Sequence, residues 1–272
     1  MFKACIKKEI FEELRTKRFL RLSLLATAMT VLTAMIIGIM SLVSKLDITV
    51  AGQEADTITA IMQMFQPNYA TFAMYFGAFM MTYFTIICIV MNMSIISKEI
   101  AQNKWILPIS AGILPETMIS AKLIIKTISV MIAEIVGIII HFLIAIICFE
   151  PINDFGIGSL LLTYLAIVVF SMFMMVLTIC INAISKKSWL SAALPIVLLI
   201  VGSTTLESIL VGSTPMIVYT PFVFYELAIN PAIAVGAVQW VSAIASMAIV
   251  IVGMVVWAIL SSRVKPGQKE DF

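Results

Sequence analysis

The sequence predicts an all-α polytopic membrane protein with six transmembrane helices, and three observations predict it. Of the 272 residues, 62% are hydrophobic and only 12% charged, against about a quarter charged in a soluble domain. The apolar residues gather into runs near 20–43, 69–93, 123–147, 159–182, 189–209 and 236–261. Each is close to the ~20 residues that cross a hydrocarbon core at about 1.5 Å per residue. The basic residues are sorted as well: with the runs threaded through a bilayer, all 17 Lys and Arg except Lys45 fall on one side. Basic loops stay cytoplasmic, so both termini are expected inside. Transmembrane β-strands of about ten alternating residues do not fit runs this long.

Residues 1–19 read as an N-terminal amphipathic helix lying on the inner leaflet. Phe2, Ile6, Ile10 and Leu14 recur on one face, while Lys8, Glu12 and Arg15 occupy another. Arg18 and Arg21 then abut anionic headgroups; the other reading is a soluble helix docked on a partner. The first apolar run is too long, and its basic flank too large, for a cleavable signal peptide. The outer loop 44–68 is long enough to hold a helix of its own, with 60–65 as the candidate, ended by Pro67 and Asn68. A second outer loop, 149–158, turns on Pro151 and its glycines. The segment 210–235 is apolar but interrupted by Pro215, Pro221 and Pro231. Its stretches 211–218 and 222–229 are too short to span, and read as broken, re-entrant or interfacial helices before the sixth span. Glu226 within it needs water or a partner.

Two ionisable residues fall inside the third run. Glu134 sits near its middle and His141 lies two helical turns on, on the same face. An ionised acid at that depth costs roughly 2.5–3.5 kcal/mol on insertion scales, so Glu134 should be protonated, paired or facing a wet cavity. One reading places both residues on a translocation path or gate. The other is structural: a hydrogen bond from Glu134 across to Tyr164, Ser171 or Thr178 of the fourth run. One His and one Glu supply too few ligands for a metal site. Cys5, Cys88, Cys148 and Cys180 lie on separate elements without a CxxC spacing and read as free packing thiols. The methionines of the second and fourth runs, such as Met80, Met81, Met174 and Met175, read mainly as packing filler. Gly202-Ser203-Thr204 offers a small-residue face for close helix packing, inside the chain or at a dimer contact.

The loop 96–120 between the second and third runs carries Trp105, Ile106, Leu107, Ile109, Ile113 and Leu114. An apolar cluster of that size marks a contact surface, either on the protein's own helices or on a cytoplasmic partner. Glu99, then Trp105 to Leu107, then Pro108-Ile109-Ser110, then Lys122 stand in an order that resembles the ABC-2 type transporter permeases. Those subunits follow the second span with an acidic residue, a helical stretch, a Pro-Ile-Ser-like turn and a Lys opening the third span. Two positions depart from the pattern: Asn103-Lys104 stands where Gly-Thr is common, and Ala111 where a basic residue is common. The resemblance covers nearly the whole chain, which makes 1–272 a single transmembrane domain.

The resemblance implies a coupling region at Glu99, Lys104, Trp105, Ile106, Leu107, Pro108 and Ile109, seated in a groove of a separate ATPase subunit. Lys186 and Lys187 would form a second, smaller contact. Two permease subunits would pair, as a homo- or heterodimer. The sequence has no G-x-x-x-x-G-K-S/T loop, so ATP and Mg would be bound by the partner, and this chain is expected to be a transport subunit rather than an enzyme, without a cofactor. The expectation is an exporter permease of a bacterial inner membrane, in contact with lipid and with no nucleic-acid partner. Its cargo would be amphipathic or apolar, because no cluster of fixed charges within the spans would hold a strongly ionic one; similarity in size and plan to peptide exporters favours a peptide, with drug, lipid or ion export as alternatives. The alternatives are an ion-coupled secondary transporter using Glu134 and His141, or a non-transporting scaffold. Coupled carriers often show matching broken spans in repeated halves, whereas a single broken region is legible here.

Overall fold

The computed structural model describes residues 1–44, 68–149, 156–231 and 233–262. Within them the chain is all-α, with six helices long and apolar enough to cross a membrane. The amphipathic helix is α1, Phe2–Arg15, shorter than the 1–19 expected. Its chain turns at Lys17, which takes a left-handed φ of 51°, before α2, Arg18–Ser44, begins. The second span is segmented: α3 (Tyr69–Ala78), a π-helical turn (Phe79–Phe84), α4 (Thr85–Asn92) and α5 (Ile95–Ala101). A short α6 (Ile106–Ser110) precedes α7 (Pro115–Cys148), α8 (Ile157–Ser185), α9 (Ser188–Ser208) and, last, α11 (Ala237–Ser262). The helix expected at 60–65 lies outside the described residues.

α8 is the most enclosed span and forms the post of the bundle, with the second, third, fifth and sixth spans packed on it and α2 held against α7. Its residues are apolar on nearly every face, as a helix surrounded by protein must be. α9 and α11 are the least enclosed. The 34 residues of α7 reach about 50 Å at 1.5 Å each, well beyond a ~30 Å hydrocarbon core. Its first turns form a wall at the end of the bundle that carries α1, α5 and α6. We call this the basic end.

Two close approaches set the helix spacing. At Gly137 of α7 a side chain would stand 2.9 Å from Ala26 Cβ of α2, and Thr30 Oγ1 donates to the Gly137 carbonyl at 3.2 Å. Small residues and a hydroxyl at a crossing are how spans bind without a hydrophobic drive between them. At Gly77 of α3 the neighbour is backbone: an added Cβ would lie 1.8 Å from the Ala228 carbonyl oxygen. Of the small-residue face on α9, Gly202 turns inward and seats the ring of Phe222.

The segment before the last span differs in part from the sequence expectation. Residues 222–229 do fold as a short helix, α10 (Val223–Ile229), with Val223, Phe224, Leu227 and Ala228 buried on the bundle. Residues 211–218 are not a helix. Strands β1 (Leu210–Val211) and β2 (Thr214–Pro215) form a two-residue antiparallel hairpin, followed by a 3-10 turn at Met216–Tyr219. Gly212 takes a φ of 63° in the hairpin turn, and Pro215 lacks the N–H a helix would need there. Glu226 is buried and its carboxylate accepts from Asn230 Nδ2 at 3.3 Å. Burial pushes its pKa above the usual carboxylate range.

Gly77→Ala should destabilise the protein by about 1–3 kcal/mol through overpacking. Gly38→Ala, whose added methyl meets nothing within 4 Å, should be neutral or stabilising; thermal unfolding of the two purified variants compares them. For Glu226, a raised native pKa means stability that is present at low pH and lost as pH rises through that value. Glu226→Gln should therefore match the parent at about pH 4 and exceed it at about pH 8 in thermal unfolding.

Candidate docking site

The loop between the second and third spans is a built structure rather than a flexible connection. After Asn92 the helix breaks, and the break is held from other spans. Arg18 Nη2 donates to Asn92 Oδ1 at 2.7 Å and to the Met91 carbonyl, meeting the orphan acceptors at the end of α4. On the far side, Asn182 of α8 accepts from the backbone N–H of Ile96 at 2.8 Å and of Ser97 at 3.0 Å. These N–H groups open α5, so Asn182 acts as an N-cap supplied by a different helix. Its amide nitrogen donates to the Met93 carbonyl and to Ser191 Oγ. Ser97 Oγ meets Ser188 Oγ at 2.9 Å, which ties the loop to the bend at Lys186 and Lys187.

Both loop helices stop in the same way. α5 ends with Lys104 N–H bonded to the Glu99 carbonyl and Asn103 N–H to that of Ile100, with Asn103 at φ 56°. α6 ends with Ile113 N–H on the Pro108 carbonyl and Gly112 N–H on that of Ile109, with Gly112 at φ 81°. These are paired Schellman closures, and their left-handed residue is preferentially Gly or Asn. The departure noted at 103 thus falls where Asn performs the turn that Gly would.

Glu99 points inward. Its Oε2 accepts from the indole Nε1 of Trp105 at 2.9 Å, and its Oε1 from Lys122 Nζ at 2.7 Å. Lys122, fully enclosed, also donates to Glu9 Oε1 of α1 at 2.8 Å. One turn on, Lys126 pairs with Glu13, whose other oxygen accepts from Ser129 Oγ at 3.1 Å. α1 therefore has three faces. Phe2, Ile10, Phe11 and Leu14 are exposed, Lys8 is exposed elsewhere, and Cys5, Glu9 and Glu13 are buried against α7. Placing these charges in a low-dielectric site carries a large desolvation cost, which only dense pairing offsets. The cluster fixes how α1, α5 and α7 sit together more than it adds stability.

The expected docking residues consequently divide. Trp105 is only 8% exposed and packs with Ile96, Met118 and Ile119 beneath the loop. Ile106 and Leu107 project outward at 63% and 79% exposure, with Leu114 beside the same closure. Lys104, Lys186 and Lys187 are exposed, and Pro108 and Ile109 are half-buried. An inward Trp–Glu–Lys brace thus carries an outward Ile–Leu knuckle.

Within the spans, His141 is sandwiched between Phe72 and Phe76, with ring centroids 3.8 and 4.1 Å away. Its Nε2 lies 3.3 Å from the Phe72 carbonyl, which can only accept, so Nε2 carries a proton. In the neutral ring Nδ1 then accepts from Tyr164 Oη at 2.7 Å. Glu134 is fully buried, and neither carboxylate oxygen has a hydrogen bond of regular geometry among the described residues. The nearest polar influence on it is Ser171, whose Oγ lies 3.5 Å from Thr85 Oγ1. Thr85 in turn donates at 2.9 Å to the Met80 carbonyl, inside the π-helical turn. Tyr164 and Ser171 thus belong to separate polar clusters, around His141 and Glu134, and Thr178 bonds only its own helix, at Met174.

Sequence reasoning missed Glu9, Glu13 and Asn182. The first two had a signal: acids spaced by one turn on α1 match the bases Lys122 and Lys126, spaced by one turn on α7. Asn182 had none, because its capping role depends on how the fourth span passes the break at Met93. No protein-family model matches the chain, and no curated protein matches it in sequence.

Lys122→Met leaves two buried carboxylates facing each other and should cost about 3–5 kcal/mol. Glu9→Gln, which leaves Lys122 paired with Glu99, should cost less than half of that. Chemical or thermal unfolding in a constant detergent compares them.

Proposed function

We propose that the chain is the membrane-spanning permease subunit of an ATP-binding cassette exporter, with both termini on the cytoplasmic side. The observation that carries the reading is the Ile106–Leu107 knuckle, exposed on a loop whose base is fixed to three different spans. An apolar projection on a flexible loop would transmit nothing. Here a push on the knuckle passes through the Glu99–Lys122 bond to α7 and through Asn182 to α8. A partner ATPase closing on nucleotide would thus move spans as bodies.

In this reading two such subunits pair over two ATPase chains, and Lys186 and Lys187 make the second contact. The cargo is amphipathic or apolar, with a peptide favoured. A second reading, ion-coupled transport, is supported by one observation: the enclosed carboxyl of Glu134 on the same face of α7 as His141. It is the weaker reading, since both nitrogens of His141 are engaged in fixed contacts.

The test is to look for an ATPase with a phosphate-binding loop in a neighbouring reading frame and to measure its co-purification with this chain. Ile106→Asp with Leu107→Asp should abolish retention of the ATPase, by at least tenfold, while leaving the thermal midpoint of the permease unchanged. Trp105→Phe should keep the packing, lose the indole bond, lower the midpoint and weaken retention only partly. Full retention by the double aspartate variant would refute the docking surface.

A further inference from the structure

At the basic end, a cavity of about 260 Å³ opens between the start of α2, the break after α4, and α5. Arg18, Lys98, Lys104, Lys122 and Lys126 line it, against Glu12 and Glu99. The charges are not equally available. Lys122 and Lys126 are engaged by Glu9, Glu99 and Glu13, and Glu99 has both oxygens occupied. Arg18 donates through Nη2 alone, so its Nε and Nη1 remain open among the described residues. The ammonium groups of Lys98 and Lys104 make no ion pair among them. Three cations thus face the cavity, opposed by Glu12, whose carboxylate lies within 4.8 Å of those of Glu9 and Glu99; the latter two are engaged by Lys122.

The cavity is also built. Arg18 is held by the end of α4, Lys98 lies on the helix capped by Asn182, and Lys104 is positioned by the Schellman closure at Asn103. Its depth is set by Arg18, the first residue of the first span. Beyond it along α2, Leu20, Leu24, Val31 and Leu32 are exposed and apolar. An anionic group placed here, with an apolar tail running along the bundle, meets matching surface at both ends.

We propose that this cavity binds a phosphate ester, and that its source is the headgroup of an anionic membrane phospholipid. The phosphate sits between Arg18, Lys98 and Lys104, and the acyl chains lie along α2. The occupant bridges the first span to the loop that bears the Ile106–Leu107 knuckle, so lipid composition bears on the loop's position. This inference rests on the six helices lying in a bilayer and not on the transport reading.

The experiment uses the full chain, purified in a neutral detergent without any ATPase. It is titrated with short-chain phosphatidylglycerol, with phosphatidylcholine of the same chain length and, separately, with inorganic phosphate. Native mass spectrometry and the thermal midpoint are the readouts. Phosphatidylglycerol should bind and stabilise, and phosphatidylcholine should do so at least tenfold more weakly. Lys98→Gln with Lys104→Gln should weaken phosphatidylglycerol roughly tenfold or more, near the effect of one to two headgroup contacts. Arginine at both positions should restore it. Lys3→Gln with Lys7→Gln, exposed cations of α1 away from the cavity, should leave it within twofold. Inorganic phosphate binding as tightly as the lipid would uphold the phosphate site but overturn the lipid as its source. Equal binding of both lipids, or a double Gln variant indistinguishable from the parent, would overturn the site.

Discussion

Lys122 is the constraint on which the basic end depends. A lysine with almost no exposed surface is tolerable only if carboxylates surround it, and here they arrive from two directions, Glu9 on α1 and Glu99 on α5. Removing the charge from either element would expose the other to an unbalanced site, so the two must be placed together. The helix on the surface, the loop and the third span therefore form one unit. Their contact is specified by electrostatics where the rest of the bundle is specified by packing.

The remainder of the bundle has little such specification. Among the spans, van der Waals fit at Gly137 and Gly77 and a few hydroxyl-to-carbonyl bonds define the crossings. The interior around α8 is filled by phenylalanine and methionine, including Met80, Met81, Met174 and Met175. The contrast divides the molecule into a stiff, ionically assembled base and a softer apolar body. In the proposed transport reading, docking at the knuckle and cargo movement in the spans would draw on these two properties respectively.

Much of this was legible in the sequence, for physical reasons that can be named. Spans are set by a length that the bilayer fixes, so residues 159–182 and 236–261 were read to within a few positions of α8 and α11. The spacing of Tyr164, Ser171 and Thr178 marked polar partners for Glu134; Ser171 lies towards it without a regular hydrogen bond, while Tyr164 bonds His141 instead. What could not be read was which way a side chain turns. Trp105 and Leu107 are two residues apart, and the closure at Asn103 together with the indole bond to Glu99 puts one under the loop and the other out. The 211–218 stretch failed for a related reason. Apolar composition suggests helix, while a single proline and a single glycine select a hairpin.

The π-helical turn at Phe79–Phe84 gives the second span a property its neighbours lack. Such a turn holds one surplus residue in the helical winding. If that surplus migrates by a few positions, the intervening side chains swivel by about 100° while the two ends of the rod stay put. Thr85, at the end of the turn, is the group that reaches towards Ser171 beside Glu134. A migration of that kind would reface the interior of the second span without lengthening it.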